Sequence, residues 1–226
     1  MSLCPDDLRG GGAGDTRRGA LSRLDAGPFI DRARSRLAEP IEGEAGDHIL
    51  NPELGPFAFA ARAPRDAAVL IPVVERTGGA RVILTLRTDH LPSHAGQISL
   101  PGGKIDAEDA GPVEAALREA DEEIGLQPDL VTPIGVLPQY LTGSGYRVAP
   151  VLGLVDSRAG LTPNPGEVAD LFEVPLGFLM DTANHQRQSR IFAGKPRYFY
   201  AMPYGERYIW GVTAGILRLL YETVWR

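Results

Sequence analysis

The sequence predicts an α+β fold, a mixed β-sheet packed between helices. Three observations carry that reading. Strand-length apolar runs follow one another at short spacing, few helical patterns interrupt them, and no segment repeats with a solenoid's period. A chain of 226 residues suits one generous domain, or one domain with an appended arm. Its 43% hydrophobic content is that of a folded protein rather than a mostly disordered one.

Residues 1–25 are expected to form a flexible arm. Gly10, Gly11, Gly12, Gly14 and Gly19 surround Arg17 and Arg18, and little there is apolar enough to bury. The segment lacks the apolar core of a secretory signal. Residues 26–62 read as an N-terminal helix and a linker, with Phe29, Ile30, Ala33 and Leu37 at helical spacing. Residues 63–226 read as the main domain. Within it, 67–74 is a buried strand, Thr77-Gly78-Gly79-Ala80 a turn and 81–87 the second strand of a hairpin. A polar loop, 88–96, leads to Gln97-Ile98-Ser99-Leu100 and then Pro101-Gly102-Gly103. Further strands are expected at 131–137, 148–155 and 197–202, and helices at 112–124, 176–180 and 213–225. Trp210-Gly211 is expected to pack the last helix.

Charge and composition exclude several functions. No apolar run approaches the ~18–20 residues that cross a bilayer, so no membrane span is expected. The formal charge of −6 argues against sequence-independent nucleic-acid binding, which needs an extended basic surface. Of the basic residues, only Lys104 and Lys195 are lysines. The single cysteine, Cys4, makes neither an internal disulfide nor a zinc cluster alone, which fits a reducing, cytoplasmic compartment.

The segment 112–124 carries the chemistry. Val113, Ala116, Leu117, Ala120 and Ile124 form one apolar stripe. Pro112 suits the first turn and Gly125 the stop. Glu119, Glu122 and Glu123 stand at i, i+3 and i+4, which sets their Cβ atoms about 5–6 Å apart. Like charges so spaced repel, and Arg118 alone does not neutralise three acids. A hard divalent cation with oxygen ligands does, and it keeps waters that phosphate oxygens replace. Taken alone, an E-x-x-E-E helix more often means a solvated acidic face.

The preceding residues change that balance. Gly102-Gly103-Lys104, Asp106, Asp109 and then Arg118 through Leu126 resemble the Nudix box, written G-x5-E-x7-R-E-U-x-E-E-x-G-U with U aliphatic. Two departures stand in the first half: Asp109 replaces the glutamate, and eight residues separate it from Arg118 where the pattern has seven. Upstream, Leu84-Thr85-Leu86-Arg87, Gly96 and Pro101-Gly102-Gly103 resemble the additional signature of the coenzyme A pyrophosphatase branch. There Thr88, Pro92 and Leu100 depart from a small residue, an arginine and a phenylalanine. Further likeness runs through Leu137-Pro138-Gln139-Tyr140 and Pro163 to Val168, so the resemblance spans about residue 67 to the end.

The resemblance implies a Nudix fold, an α/β/α sandwich, and a metal-dependent diphosphatase acting on a small-molecule substrate. In that branch coenzyme A, its acyl or its oxidised form is split to 4′-phosphopantetheine and adenosine 3′,5′-bisphosphate. It implies Mg²⁺ or Mn²⁺ on Glu119 and Glu123, Glu122 as ligand or base, and Arg118 orienting the glutamates. Arg87 and His94 become candidates for substrate contact, with Gly96, Gln97, Gly102 and Gly103 beside them. Glu167 is a second candidate general base. Two other expectations stay open: a Nudix hydrolase of another nucleoside diphosphate derivative such as ADP-ribose, and a non-catalytic nucleotide-sensing Nudix module. A homodimer is one expectation for its assembly.

Overall fold

Alternation of apolar side chains on both faces of three long strands builds the centre of this molecule. The computed structural model describes residues 23–39, 41, 43–54, 57, 60, 63–90, 94–192 and 194–226. The arm at 1–22 with Cys4, and the loop position Pro92, lie outside the described residues. The chain runs through α1 (Ala26–Arg36), β1 (Glu44–Gly46), α2 (Asp47–Leu50), β2 (Arg65–Arg76), β3 (Gly79–Arg87), β4 (Ile98–Ser99), β5 (Gly102–Lys104) and α3 (Pro112–Ile124). It continues with β6 (Val131–Val136), β7 (Gln139–Leu141), β8 (Tyr146–Val155), β9 (Val168–Pro175), α4 (Leu176–Met180), β10 (Gln186–Phe192), β11 (Lys195–Tyr204), β12 (Arg207–Trp210) and α5 (Gly211–Leu220).

Nine strands form one mixed sheet and β10–β11–β12 form a second, three-stranded one. At the centre, β2 pairs in parallel with β8 from Arg65↔Tyr146 to Val74↔Val155, and antiparallel with β3. Along β2, Ala68, Leu70 and Val74 join the core under α3, while Ala67, Ile71 and Val73 join the core under α1, α4 and α5. That period of two buries both faces and places helices on each side of the sheet. The architecture is the expected α+β sandwich. Among the described residues, no helix is long and apolar enough to cross a membrane.

Four expectations change. The hairpin turn is two residues, Thr77-Gly78, because β2 and β3 extend further toward it. The 26–62 segment holds α1 as read, but also β1, which pairs in parallel with β7 in the main sheet. The last helix starts at Gly211, and after Leu220 it widens into a π turn over Tyr221–Trp225. Strands β7, β9, β10 and β12 were not expected. Each buries two residues at most, as Tyr140 and Leu141 in β7, Val168 and Val174 in β9 and Ile209 in β12, so they lack a readable alternation.

Candidate active site

Helix α3 has the bounds that its sequence dictates, from Pro112 to a left-handed Gly125 with φ 65°. Ala115, Ala116, Ala120 and Ile124 are fully buried, and Val113 and Leu117 pack partly against the same core. Glu123 joins them at 2% exposure. At 100° per residue, positions 122 and 123 point about 100° apart, so the three glutamates fan out rather than converge. Glu123 enters the protein, the Glu122 side chain is 56% exposed, and Glu119 lies between them at 17%. Among the described residues, no three His, Cys, Asp or Glu side chains are gathered as a closed metal cage.

Two arginines hold the three carboxylates. Glu123 Oε2 accepts the Gly102 N–H at 3.2 Å, and Oε1 accepts Arg87 Nη1 at 3.2 Å. Burial pushes the Glu123 carboxyl up to about 7; the Gly102 N–H and Arg87 oppose that rise, while Glu167 and Glu119 add to it. Burial also raises Glu119, against the pull of Arg118. Arg118 Nη1 reaches Glu119 Oε1 at 3.1 Å and Glu122 Oε2 at 3.3 Å.

The rest of the Arg118 guanidinium explains the longer loop before the helix. Its Nε and Nη2 donate to the two oxygens of Asp109, both at 3.0 Å, and Nη2 also reaches the Lys104 carbonyl at 3.1 Å. The Asp109 carboxylate turns back to accept the Asp106 N–H at 2.8 Å, which closes the extra residue into a turn. The Arg118 hydrogen bond holds the Asp109 carboxyl below its usual range.

The two glycines are fixed by close approach. A Cβ on Gly102 would stand 2.6 Å from Val69 Cα, and one on Gly103 would stand 2.6 Å from Glu119 Oε2. β5 therefore lies flat against β2, with the Glu119 carboxylate on top of it.

Arg87 ends β3 beside a register shift against β9, and it lies on the sheet face that α3 covers. Its partner is the buried Glu123, and its own Nε is buried with no hydrogen-bond acceptor. Glu167 arrives from the other side. The loop before it bonds the open C-terminal end of α3 through Thr162 N to Ile124 O and Asn164 N to Glu123 O, both at 2.8 Å. Thr88 N then holds the Glu167 carbonyl at 3.0 Å. His94, at φ 57°, shares a hydrogen bond of 3.0 Å with Gln97 Oε1.

These groups line one cleft of about 1140 Å³. Arg87, His94, Gln97, Gly102, Gly103, Arg118, Glu119, Glu122, Glu123 and Glu167 are all on its surface. Gly96 is not; its φ of 65° serves the turn, where a Cβ would stand 2.8 Å from Asp89 Oδ1. The part of the lining that comes from α2 and the small sheet went unread in the sequence as a site: Asp47, Arg190, Arg197, Phe199 and Trp210. Trp210, expected to be only packing, presents its ring edge-on to Phe199 at 5.4 Å between centroids. The donor chemistry fits a hard divalent cation, since Glu119 and Glu123 offer carboxylate oxygens whose charge burial leaves under-compensated.

Comparison with known proteins places the chain in a family. The NUDIX domain family matches residues 64–193. A protein of Yersinia pestis (strain Pestoides F) named "Uncharacterized Nudix hydrolase NudL" is 36% identical over 196 residues, covering 87% of this chain and 93% of that relative. Its namesake in Yersinia pseudotuberculosis serotype O:1b (strain IP 31758) matches to the same extent. Among solved structures, a Nudix hydrolase from M. smegmatis, RenU, aligns at TM-score 0.44 with 25% identity, covering 51% of this chain and 73% of that one.

Proposed function

This chain belongs to the Nudix hydrolase family, and from that premise we propose that it is a coenzyme A diphosphatase. The products would be 4′-phosphopantetheine and adenosine 3′,5′-bisphosphate. One observation carries the reading. Arg87, the glycine pair and the box glutamates, which the sequence groups by resemblance, all line a single cleft large enough for a nucleotide-sized substrate.

In this proposal Glu119 and Glu123 hold the divalent cation, Mg²⁺ or Mn²⁺, with Glu122 as the exposed third acid. When bound, the cation neutralises phosphate charge and lowers the pKa of a water. Arg118 keeps Glu119 over the glycine pair, whose missing Cβ atoms leave room for that carboxylate and for the β2 backbone. The orphaned Nε of Arg87 supports a phosphate contact, because a buried N–H without an acceptor is costly until one arrives. Glu167 takes the proton of the attacking water; Glu122, turned toward solvent and held by Arg118, is the poorer base. His94 and Gln97 contact the substrate at the rim.

The test is incubation of the full chain with coenzyme A and Mg²⁺, with products identified by mass spectrometry beside a chelated control. Metal-dependent appearance of both products is expected. Cleavage of ADP-ribose or another nucleotide in place of coenzyme A would replace the substrate, and silence on every diphosphate would favour a nucleotide-sensing module.

A further inference from the structure

The small sheet carries a charge arrangement that the diphosphate chemistry does not use. Strands β10 and β11 set Arg190 directly opposite Arg197. Side chains so paired share one sheet face, and like charges there repel. Arg197 has its compensation: Nη2 lies 2.7 Å from Asp47 Oδ2, and Asp47 in turn accepts the Tyr140 hydroxyl at 2.9 Å. Among the described residues, no carboxylate is paired with Arg190.

Aromatic rings hold it instead. The Arg190 guanidinium carbon is 4.6 Å from the Trp210 ring centroid and 5.8 Å from that of Phe199. Such contacts orient the guanidinium without cancelling its charge. Arg190 and Arg197 therefore face the same cleft as Glu119 and Glu123, and among the described residues Asp47 is the carboxylate paired with Arg197. An anion on that wall would relieve the repulsion, and a planar guanidinium offers paired N–H donors that match a phosphoryl group.

We propose that Arg190 is a specificity-determining residue that binds a phosphoryl group of the substrate apart from the diphosphate. This rests on the coenzyme A reading, in which that group is the 3′-phosphate of the ribose. The diphosphate belongs with the glutamates and Arg87 on one wall, and the ribose phosphate belongs with Arg190 on the other. Arg190 is exposed, so its replacement leaves the core untouched.

The experiment compares Arg190→Gln and Arg190→Lys with the wild-type chain on coenzyme A and on dephospho-coenzyme A, which lacks the 3′-phosphate. Losing one charge-assisted hydrogen-bonded contact should lower kcat/KM for coenzyme A about tenfold in Arg190→Gln, mainly through KM. The value for dephospho-coenzyme A should change far less, and Arg190→Lys should recover part of the loss. Equal losses on both substrates, or no loss on either, would overturn the assignment. Should the wild-type chain cleave neither substrate, the coenzyme A reading fails separately. Calorimetry then decides for Arg190: preference for adenosine 3′,5′-bisphosphate over AMP, lost in Arg190→Gln, upholds it, and equal affinities in both proteins overturn it.

Discussion

The two walls of the cleft come from two sheets built on different terms. The glutamate wall rests on the nine-stranded sheet, whose central strands are buried on both faces. A register slip there would move every core side chain to the wrong side, so the wall is rigidly specified. The arginine wall rests on three strands, of which β10 is exposed along nearly its whole length, with Ile191 at 75% exposure just before its end. Its strands β11 and β12 are anchored by buried Ala201, Met202 and Ile209 and by ion pairs from Arg197 to Asp47 and Arg207 to Asp170, and Arg190 on β10 by contacts with aromatic rings. On the proposed reading, the metal-binding acids sit on the closely specified wall and the ribose-phosphate contact on the exposed strand, where substitutions are better tolerated.

The largest effect should come from the rigid wall. Glu123→Gln keeps an acceptor for the Gly102 N–H but removes the buried charge, and kcat should fall on the order of 10²–10³-fold with an unchanged far-ultraviolet spectrum. A near-full rate at saturating Mg²⁺ would remove Glu123 from metal binding. Next comes the choice of base. Glu167→Gln should lower kcat on the order of 10²-fold, and Glu122→Gln less than about tenfold. The reverse order would exchange their roles.

Two adjacent glycines then separate fold from chemistry. Gly102→Ala drives a Cβ against the β2 backbone, which cannot yield, and should cost about 1–3 kcal/mol in urea unfolding. Gly103→Ala meets the Glu119 carboxylate first, the far end of a flexible side chain, so stability should change little while turnover falls. Matching stability losses would show the glutamate end to be as rigid as the backbone.

The smallest effect lies away from the cleft, where the two sheets meet α5. His185 Nδ1 accepts from Arg218 Nη1 at 3.3 Å, since a guanidinium only donates, and Nε2–H donates to Leu179 O at 2.8 Å. Burial lowers its pKa, and Arg218 adds to the shift. The unfolded chain binds this proton more readily. Stability is therefore complete above about pH 6.5 and declines as pH falls through the lower folded value. The urea midpoint should drop between pH 7.5 and 5.5, and less so in His185→Gln; identical slopes would exclude His185 as the cause.

How much of this was legible depended on distance along the chain. Helix α3 was readable to its ends, because Pro112, Gly125 and the apolar period are local signals. The burial of Glu123 was not, since the spacing of three acids does not say which one the sheet covers. Glu167 was suspected from its loop, but its approach depends on bonds to the end of α3 that no pattern encodes. The arginine wall was invisible for a plainer reason. Gln186 to Arg190 is a polar run, and Asp47 meets Arg197 from 150 residues away.

The parallel pairing of β2 with β8 has a consequence for how the protein comes into being. Those strands are neighbours in space but are separated by the whole stretch that holds β5, α3 and the box glutamates. The β2–β3 hairpin is local and closes early, whereas a parallel contact across so long a loop pays its entropy before any reward. On the ribosome, the central seam waits until residue 155 has emerged. The loop that this pairing closes carries Glu119 and Glu123, so their placement against β5 and Arg87 is expected to follow that late closure rather than precede it.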